Sequence, residues 1–143
     1  LGFLKGGLAA WQAAGKEVDH IKSITADKMA KGLPLATAQE VLDVRKPTEF
    51  LAQHIQDATN FPLDYLNKNM DRLDRQKPYI LHCLGGYRSM IAASILRARG
   101  FHNLVDIQKG WRAIEASAIP KTDYACPTTL TQETIDAAVA DVI

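Results

Sequence analysis

The sequence predicts an α/β sandwich built on a mainly parallel sheet, and three observations carry that prediction. Short apolar runs, Val41 to Val44, Pro78 to Cys83 and Leu104 to Ile107, alternate with helical apolar patterns at close spacing. The 143 residues, 47% hydrophobic and 23% charged, suit one globular domain of about 100 to 200 residues. No apolar run approaches the ~18 residues that span a bilayer; Met90 to Leu96 is too short and holds Ser94. A net charge of +1 without a run of either sign argues against nucleic acid and anionic membranes, leaving a small or protein-borne partner. Two cysteines, Cys83 and Cys126, are too few for a disulfide scaffold. With no signal segment evident, a reducing cytoplasm is the expected location.

Taken in order, Gly6-Gly7 and the Ala-rich stretch around Trp11 predict a strand end, a turn and a short helix. An offset of 103 residues places Leu4, Gly7, Ala10 and Ala13 on Ile107, Gly110, Ala113 and Ala116, a partial self-match. Glu17 to Ser23 reads as a polar connector, and Thr25 as the cap of a short helix. Val41 to Val44 is a strand, and Thr48 to Leu51 starts a helix beside Pro47. Asn60-Phe61-Pro62 is a brief strand, and Leu63, Leu66, Met70 and Leu73 form a helical stripe. Pro78 to Cys83 is a buried strand, followed by a Gly-Gly turn and a helix from Ser89 to Ala98 that ends at Gly100. Leu104 to Ile107 is a strand and Trp111 to Ala118 a helix. Thr131 caps a last helix, with Ile135, Val139 and Val142 on one side.

In an open α/β sheet ligands bind beyond the carboxyl ends of the strands, which is where Cys83-Leu84-Gly85-Gly86-Tyr87-Arg88-Ser89 falls. Gly85 and Gly86 can both take positive φ, so successive amides turn toward the sulfur and form an anion-binding concavity. The following helix adds its N-terminal partial charge. Both effects favour thiolate and make Cys83 a nucleophile without a neighbouring base. Arg88 is the loop's only formal charge. It serves either as an anchor for an anionic substrate or persulfide, or as a helix-entry partner of a carboxylate such as Asp43.

The segment from Cys83 to Ser89 resembles the active-site loop of rhodanese-type sulfurtransferases. Leu42-Asp43-Val44-Arg45 with Glu49-Phe50 is similar to that family's Asp-Val-Arg segment, and His54-Ile55, Ala58, Asn60 and Pro62 to its His-Ile-x-Gly-Ala-x-Asn-x-Pro run. Asp57 stands where that run has Gly, which predicts an altered turn. The resemblance spans about residues 24–120 and implies a rhodanese-like three-layer sandwich, its mainly parallel sheet flanked by helices. It implies catalysis by Cys83 and Arg88, a persulfide-binding loop of Leu84, Gly85, Gly86, Tyr87 and Ser89, and structural support from Asp43, Arg45 and Glu49. It also implies domain limits: 1–18 as the tail of a preceding rhodanese-like domain, 19–120 as a rhodanese domain, and 121–143 as a C-terminal extension with a helix. Tandem domains with a Gly-Gly-Tyr-Arg-Ser loop are similar to those fused to metallo-β-lactamase-fold hydrolases related to persulfide dioxygenases.

The implied reaction needs no cofactor beyond a covalent Cys83 persulfide. A sulfane sulfur passes from thiosulfate or a thiol persulfide to Cys83 and then to a thiol or cyanide. Leu84 and Tyr87 are uncharged, so a small thiol-borne persulfide is the favoured donor over the thiosulfate dianion. No metal is expected, because no His or Cys pair has zinc-like spacing. Strand alternation turns His82 away from Cys83, while His54 reads as a packed residue and Cys126 as an incidental loop cysteine. Two rivals remain. A Cys-loop-Arg phosphatase has, as a family pattern, five residues between Cys and Arg, whereas Leu84 to Tyr87 is four. The other is a noncatalytic module that docks to or regulates a fused enzyme.

Overall fold

Five short strands pair side by side, and the apolar side chains of the central ones are buried by helices on both faces of the sheet. The computed structural model describes residues 2–32 and 40–143. Strands β1 (Lys22–Ile24), β2 (Glu40–Asp43), β3 (Thr59–Asn60), β4 (Tyr79–His82) and β5 (Leu104–Ile107) form one sheet in the order β1-β5-β4-β2-β3, with every pairing parallel. The chain moves outward from β2 to β3 on one side and from β4 to β5 on the other. The order therefore reverses between β2 and β4, and the carboxyl ends there, at Asp43 and His82, frame the crevice where such sheets bind ligands.

Alternation sorts the side chains into two cores. Leu42, Val44, Tyr79, Leu81, Cys83 and Leu104 share one face with α4 (Leu66–Asn69) and α5 (Tyr87–Ala98). Ile80 and Ile107 share the other with α2 (Ala26–Ala30) and α6 (Trp111–Glu115). Helix α3 (Pro47–Ala52) starts with Pro47 in its first turn, where a missing N–H costs nothing. The Thr25 hydroxyl caps α2 through the Lys28 amide at 3.3 Å, as expected.

Several expectations need correction. The connector around Lys22 and Ser23 is strand β1, a polar edge strand defined by its pairing with β5. No strand occurs over residues 2–5; Gly6-Gly7 leads directly into helix α1 (Gly7–Ala13), which buries nothing. The Leu63 to Leu73 stripe is not one helix. Two 3₁₀ turns, Leu63–Tyr65 and Met70–Arg72, flank α4, although Leu66, Met70 and Leu73 are buried as the stripe requires. Helix α5 starts at Tyr87 rather than Ser89, and α6 ends at Glu115 rather than Ala118. Asp57 keeps φ at 63°, so the turn adopts the left-handed shape suited to glycine, with an aspartate that tolerates it.

The C-terminal stretch folds back on the sheet. Ile55 bridges Lys121, and the Lys121 ammonium donates to the carbonyls of Ile114, Ser117 and Ile119. Helix α7 (Gln132–Val142), capped by Thr131, packs on α3 and inserts Val142 where Asn69 donates to its carbonyl. Among the described residues, no helix is long and apolar enough to cross a membrane.

Candidate active site

Cys83 follows the last residue of the fully buried strand β4, which fixes its backbone at the β2/β4 crevice. Of the two glycines that follow, Gly86 turns, with φ 99°, while Gly85 stays out of the positive region. That one left-handed residue aims the Gly86 amide at the Cys83 Sγ, 3.1 Å away, and serves as the N-cap of α5. Tyr87, Arg88 and Ser89 thus form the first turn, whose amides lack helical partners. Burial pushes the Cys83 thiol up. The Ser89 hydroxyl and the Ser89, Gly86 and Gly85 amides outweigh it and hold the thiol below its ordinary value. Ser89 is fully buried, and its one hydroxyl proton is divided between the sulfur and the Gly86 carbonyl, 3.2 Å away. Tyr87 projects outward at 80% exposure, and Leu84 is also exposed.

Arg88 does not pair with Asp43. Its Nη1 and Nη2 donate to Glu49 Oε2 and Oε1 at 2.7 and 2.9 Å, a two-pronged ion pair. Glu49 stands in the first turn of α3 and also accepts the Lys46 amide at 3.1 Å. The Arg88 hydrogen bond holds its carboxyl below the usual range against the opposing effect of burial. Asp43 is engaged with Arg45 instead: its carboxylate accepts the Arg45 amide, Nε and Nη2 at 3.0, 2.9 and 2.6 Å. Arg45 also donates to the Gln53 carbonyl and lies 4.2 Å over the Trp111 ring. Asn60 ties the carbonyls of Asp43 and Arg45 together. Asp43 and Arg45 thus brace the floor of the crevice, while Glu49 braces its rim.

His82 lies on the opposite face from Cys83, fully buried, with Nε2 3.6 Å from Asp43 and its ring stacked near Trp111. Burial holds its pKa down, more than the Asp43 charge raises it. It is a packed group turned away from the Cys83 sulfur. His54 stacks on Phe50 and its Nδ1 meets the Phe50 carbonyl at 2.8 Å. Cys126 is exposed beside Thr128 on the 3₁₀ turn Pro127–Thr129. Among the described residues, no group of three His, Cys, Asp or Glu side chains is placed to hold a metal.

Three contributors escaped the sequence reading. Gly110, with φ 52° and ψ −139°, lies so close to Cys83 that a Cβ there would sit 2.2 Å from the Cys83 carbonyl oxygen. The next two amides hold the loop: Trp111 N–H donates to the Cys83 carbonyl at 2.6 Å and Arg112 N–H to that of Leu84 at 3.2 Å. The self-match that includes Gly110 was the available signal. Asp106, paired in register with Leu81, is 4% exposed with Oδ1 unpartnered; burial pushes its carboxyl up, and the Ser89 hydroxyl opposes this. An acid inside the apolar run Leu104 to Ile107 was its signal.

Comparison with known proteins agrees with this geometry. A model of the family described as "Rhodanese-like domain" matches residues 25–117. The uncharacterized protein YqhL of Bacillus subtilis is 32% identical over 92 residues, covering 64% of this chain and 71% of that protein. A tRNA sulfurtransferase of Histophilus somni is 33% identical over 93 residues, 65% of this chain but only 18% of that protein. The slr1261 protein of Synechocystis, at 32% identity over 95 residues, is matched over 53% of its length, so the chain spans about half of it. Among solved structures, a rhodanese-related protein from Thermoplasma volcanium has a TM-score of 0.63 at 31% identity, covering 71% of this chain and 97% of that one. With the family model matched over most of its length and the cysteine loop at the sheet's switch point, the chain belongs to the rhodanese-like domain family.

Proposed function

We propose that this chain is a sulfurtransferase working through a Cys83 persulfide. One observation carries the reading: the Cys83 sulfur sits in a ring of backbone amides, Gly86 N–H at 3.1 Å, that lowers its pKa and matches an anionic sulfur chain. The thiolate attacks the outer sulfur of a donor R–S–SH. A Cys83 S–S bond forms, the donor's S–S bond breaks, and R–S⁻ leaves. A thiol or cyanide then takes the outer sulfur and returns Cys83 to thiolate. No base is needed, consistent with His82 facing away. Arg88, already paired with Glu49, acts by fixing the helix entry as well as by charge.

The tRNA sulfurtransferase that this chain resembles supports the chemistry, although only over a small part of that protein's length. Because Cys83 and Cys126 are both free thiols, we place the reaction in a reducing cytoplasm. The proposal needs no metal or further cofactor. Residues 1–18 extend it: φ of 82° and 59° at Gly6 and Gly7 repeats the 63° and 52° at Lys109 and Gly110, again before a helix. We read them as the closing turn of a second domain of this kind, beside a main domain at 19–120 and an extension at 121–143. A fused metallo-β-lactamase-fold hydrolase rests on the loop resemblance alone. The test is thiocyanate production from a sulfane donor and cyanide. Wild-type protein turns over and Cys83→Ser does not; turnover by Cys83→Ser removes the assignment.

A further inference from the structure

Asp106 is a buried acid that the sulfur-transfer steps leave unused. In strand β5 it stands in register with Leu81 of β4, so its side chain faces helix α5 on the Cys83 side of the sheet, as that of Leu104 two residues earlier does. It is 4% exposed, its Oδ1 has no hydrogen-bond partner, and among the described residues it has no cation within ion-pair distance. A carboxyl so placed is costly unless a polar neighbour answers it. Helix α5 turns Ser89, Ala92, Ala93 and Leu96 inward, and Ser89 is the one polar side chain of the four.

The Ser89 hydroxyl holds the Cys83 thiol down and also opposes the rise that burial imposes on Asp106, so it reaches both groups. It has one proton to give. The other charges around β5 are already placed. Arg88 and Arg97 of α5 are paired with Glu49 and Asp19. Ser23, in register with Asp106 on β1, is neutral and accepts Gln108 Nε2 at 3.0 Å. Asp43, Arg45 and His82 lie on the opposite face, around Trp111. Asp106 and Cys83 are thus the two titrating groups that meet at Ser89.

We propose that Asp106 is a positioning residue for the nucleophile, deciding whether the single Ser89 proton points to the Cys83 sulfur or away from it. As a neutral acid, Asp106 donates its O–H to the Ser89 oxygen, whose own hydrogen then lies on the thiolate, in a chain whose bonds strengthen one another. As a carboxylate, it draws that hydrogen to itself and the sulfur loses the bond. Its consequence in catalysis rests on the sulfur-transfer reading. When cyanide attacks the outer sulfur of the Cys83 persulfide, a C–S bond forms, the S–S bond breaks and its electron pair stays on Cys83 as thiolate while thiocyanate departs. A hydrogen bond to that thiolate makes it a better leaving group, so discharge of the persulfide is the step that Asp106 governs.

The test uses Asp106→Asn, Ser89→Ala and the double variant. One readout is iodoacetamide alkylation of the Cys83 peptide against pH, which needs no sulfur transfer; the other is the rate at which cyanide discharges the persulfide. Asparagine cannot ionise, and its amide donates to Ser89 at every pH. Once wild-type Asp106 is ionised, Asp106→Asn therefore titrates Cys83 at lower pH than wild type and discharges about threefold faster, a part of what a whole hydrogen bond to a charged group is worth. While wild-type Asp106 is neutral, the two proteins discharge alike. In the Ser89→Ala background most of the gain disappears, which a merely structural role for Asp106 would not produce. A urea midpoint of Asp106→Asn below that of wild type overturns the premise of an unpartnered acid. An unshifted alkylation profile overturns the proposal, and so does a shift that persists in full without the Ser89 hydroxyl, because Asp106 then acts by charge alone. If alkylation shifts as stated but wild-type Cys83 takes no sulfur from a persulfide donor, the positioning of the thiol stands and the sulfur-transfer reading fails.

Discussion

Replacing Gly110 with alanine perturbs the site at the point where two parts of the chain come closest. The new Cβ would lie 2.2 Å from the Cys83 carbonyl oxygen, 2.9 Å from its carbon and 3.0 Å from the Leu84 carbon, all backbone atoms that cannot rotate away. The backbone at φ 52°, ψ −139° is also near a region that only glycine occupies readily, at about 1–3 kcal/mol for another residue. Relief requires moving the Cys83–Leu84 backbone, which stretches the 2.6 Å Trp111 bond and adds about 1–3 kcal/mol of repacking. The sum is about 3 kcal/mol or more, and with a urea slope near 2 kcal/mol/M it lowers the midpoint by about 1.5 M. Tryptophan fluorescence follows the unfolding, and iodoacetamide alkylation of Cys83 reports the disturbed loop. Gly7 supplies the comparison: its positive φ strains an alanine too, but nothing lies within 4 Å of a Cβ there and its helix buries nothing, so the strain stays within α1 and Gly7→Ala leaves the global midpoint nearly unchanged. A Gly110→Ala midpoint within about 0.3 M of wild type refutes the close-approach argument.

The remaining predictions concern the carboxylates. Glu49 is held below its usual pKa by Arg88, so the pair's stabilisation is present above the unfolded-state value and is lost as pH falls through the lower folded-state value. Glu49→Gln therefore costs about 0.5–1 kcal/mol at pH 7, discounted for the partial exposure of both partners, and flattens stability against pH in the acid range. Equal acid sensitivity of variant and wild type contradicts this. Asp106 has the opposite sign. Its folded-state pKa is raised by burial, so stability declines as pH rises from the unfolded-state value toward the folded-state one. Asp106→Asn removes that decline and raises the urea midpoint at pH 7; an unchanged pH profile or a lower midpoint contradicts this.

The parts of this protein that were legible in the sequence are those written in consecutive residues. Strand β4, its cysteine and the Gly-Gly turn lie within eight residues, so Cys83 and the amides around its sulfur could be placed without coordinates. The apolar stripe at Leu66, Met70 and Leu73 correctly marked what is buried but not the backbone, because short 3₁₀ turns present much the same face as a helix. Strand β1 was invisible because Lys22 and Ser23 carry no apolar alternation; its partner β5 makes it a strand. The Arg88–Glu49 pair spans 39 residues, and the demand for glycine at 110 arises only when the turn meets Cys83. Such long-range contacts leave no local pattern.

The central claim is that Cys83 carries sulfur. Intact-protein and peptide mass spectrometry after brief exposure to a persulfide donor, followed by cyanide, tests it most directly. The expected result is one added sulfur on the peptide containing Cys83, none on Cys126, and its removal by cyanide with release of thiocyanate. An unmodified Cys83, or a sulfur that cyanide does not remove, contradicts it.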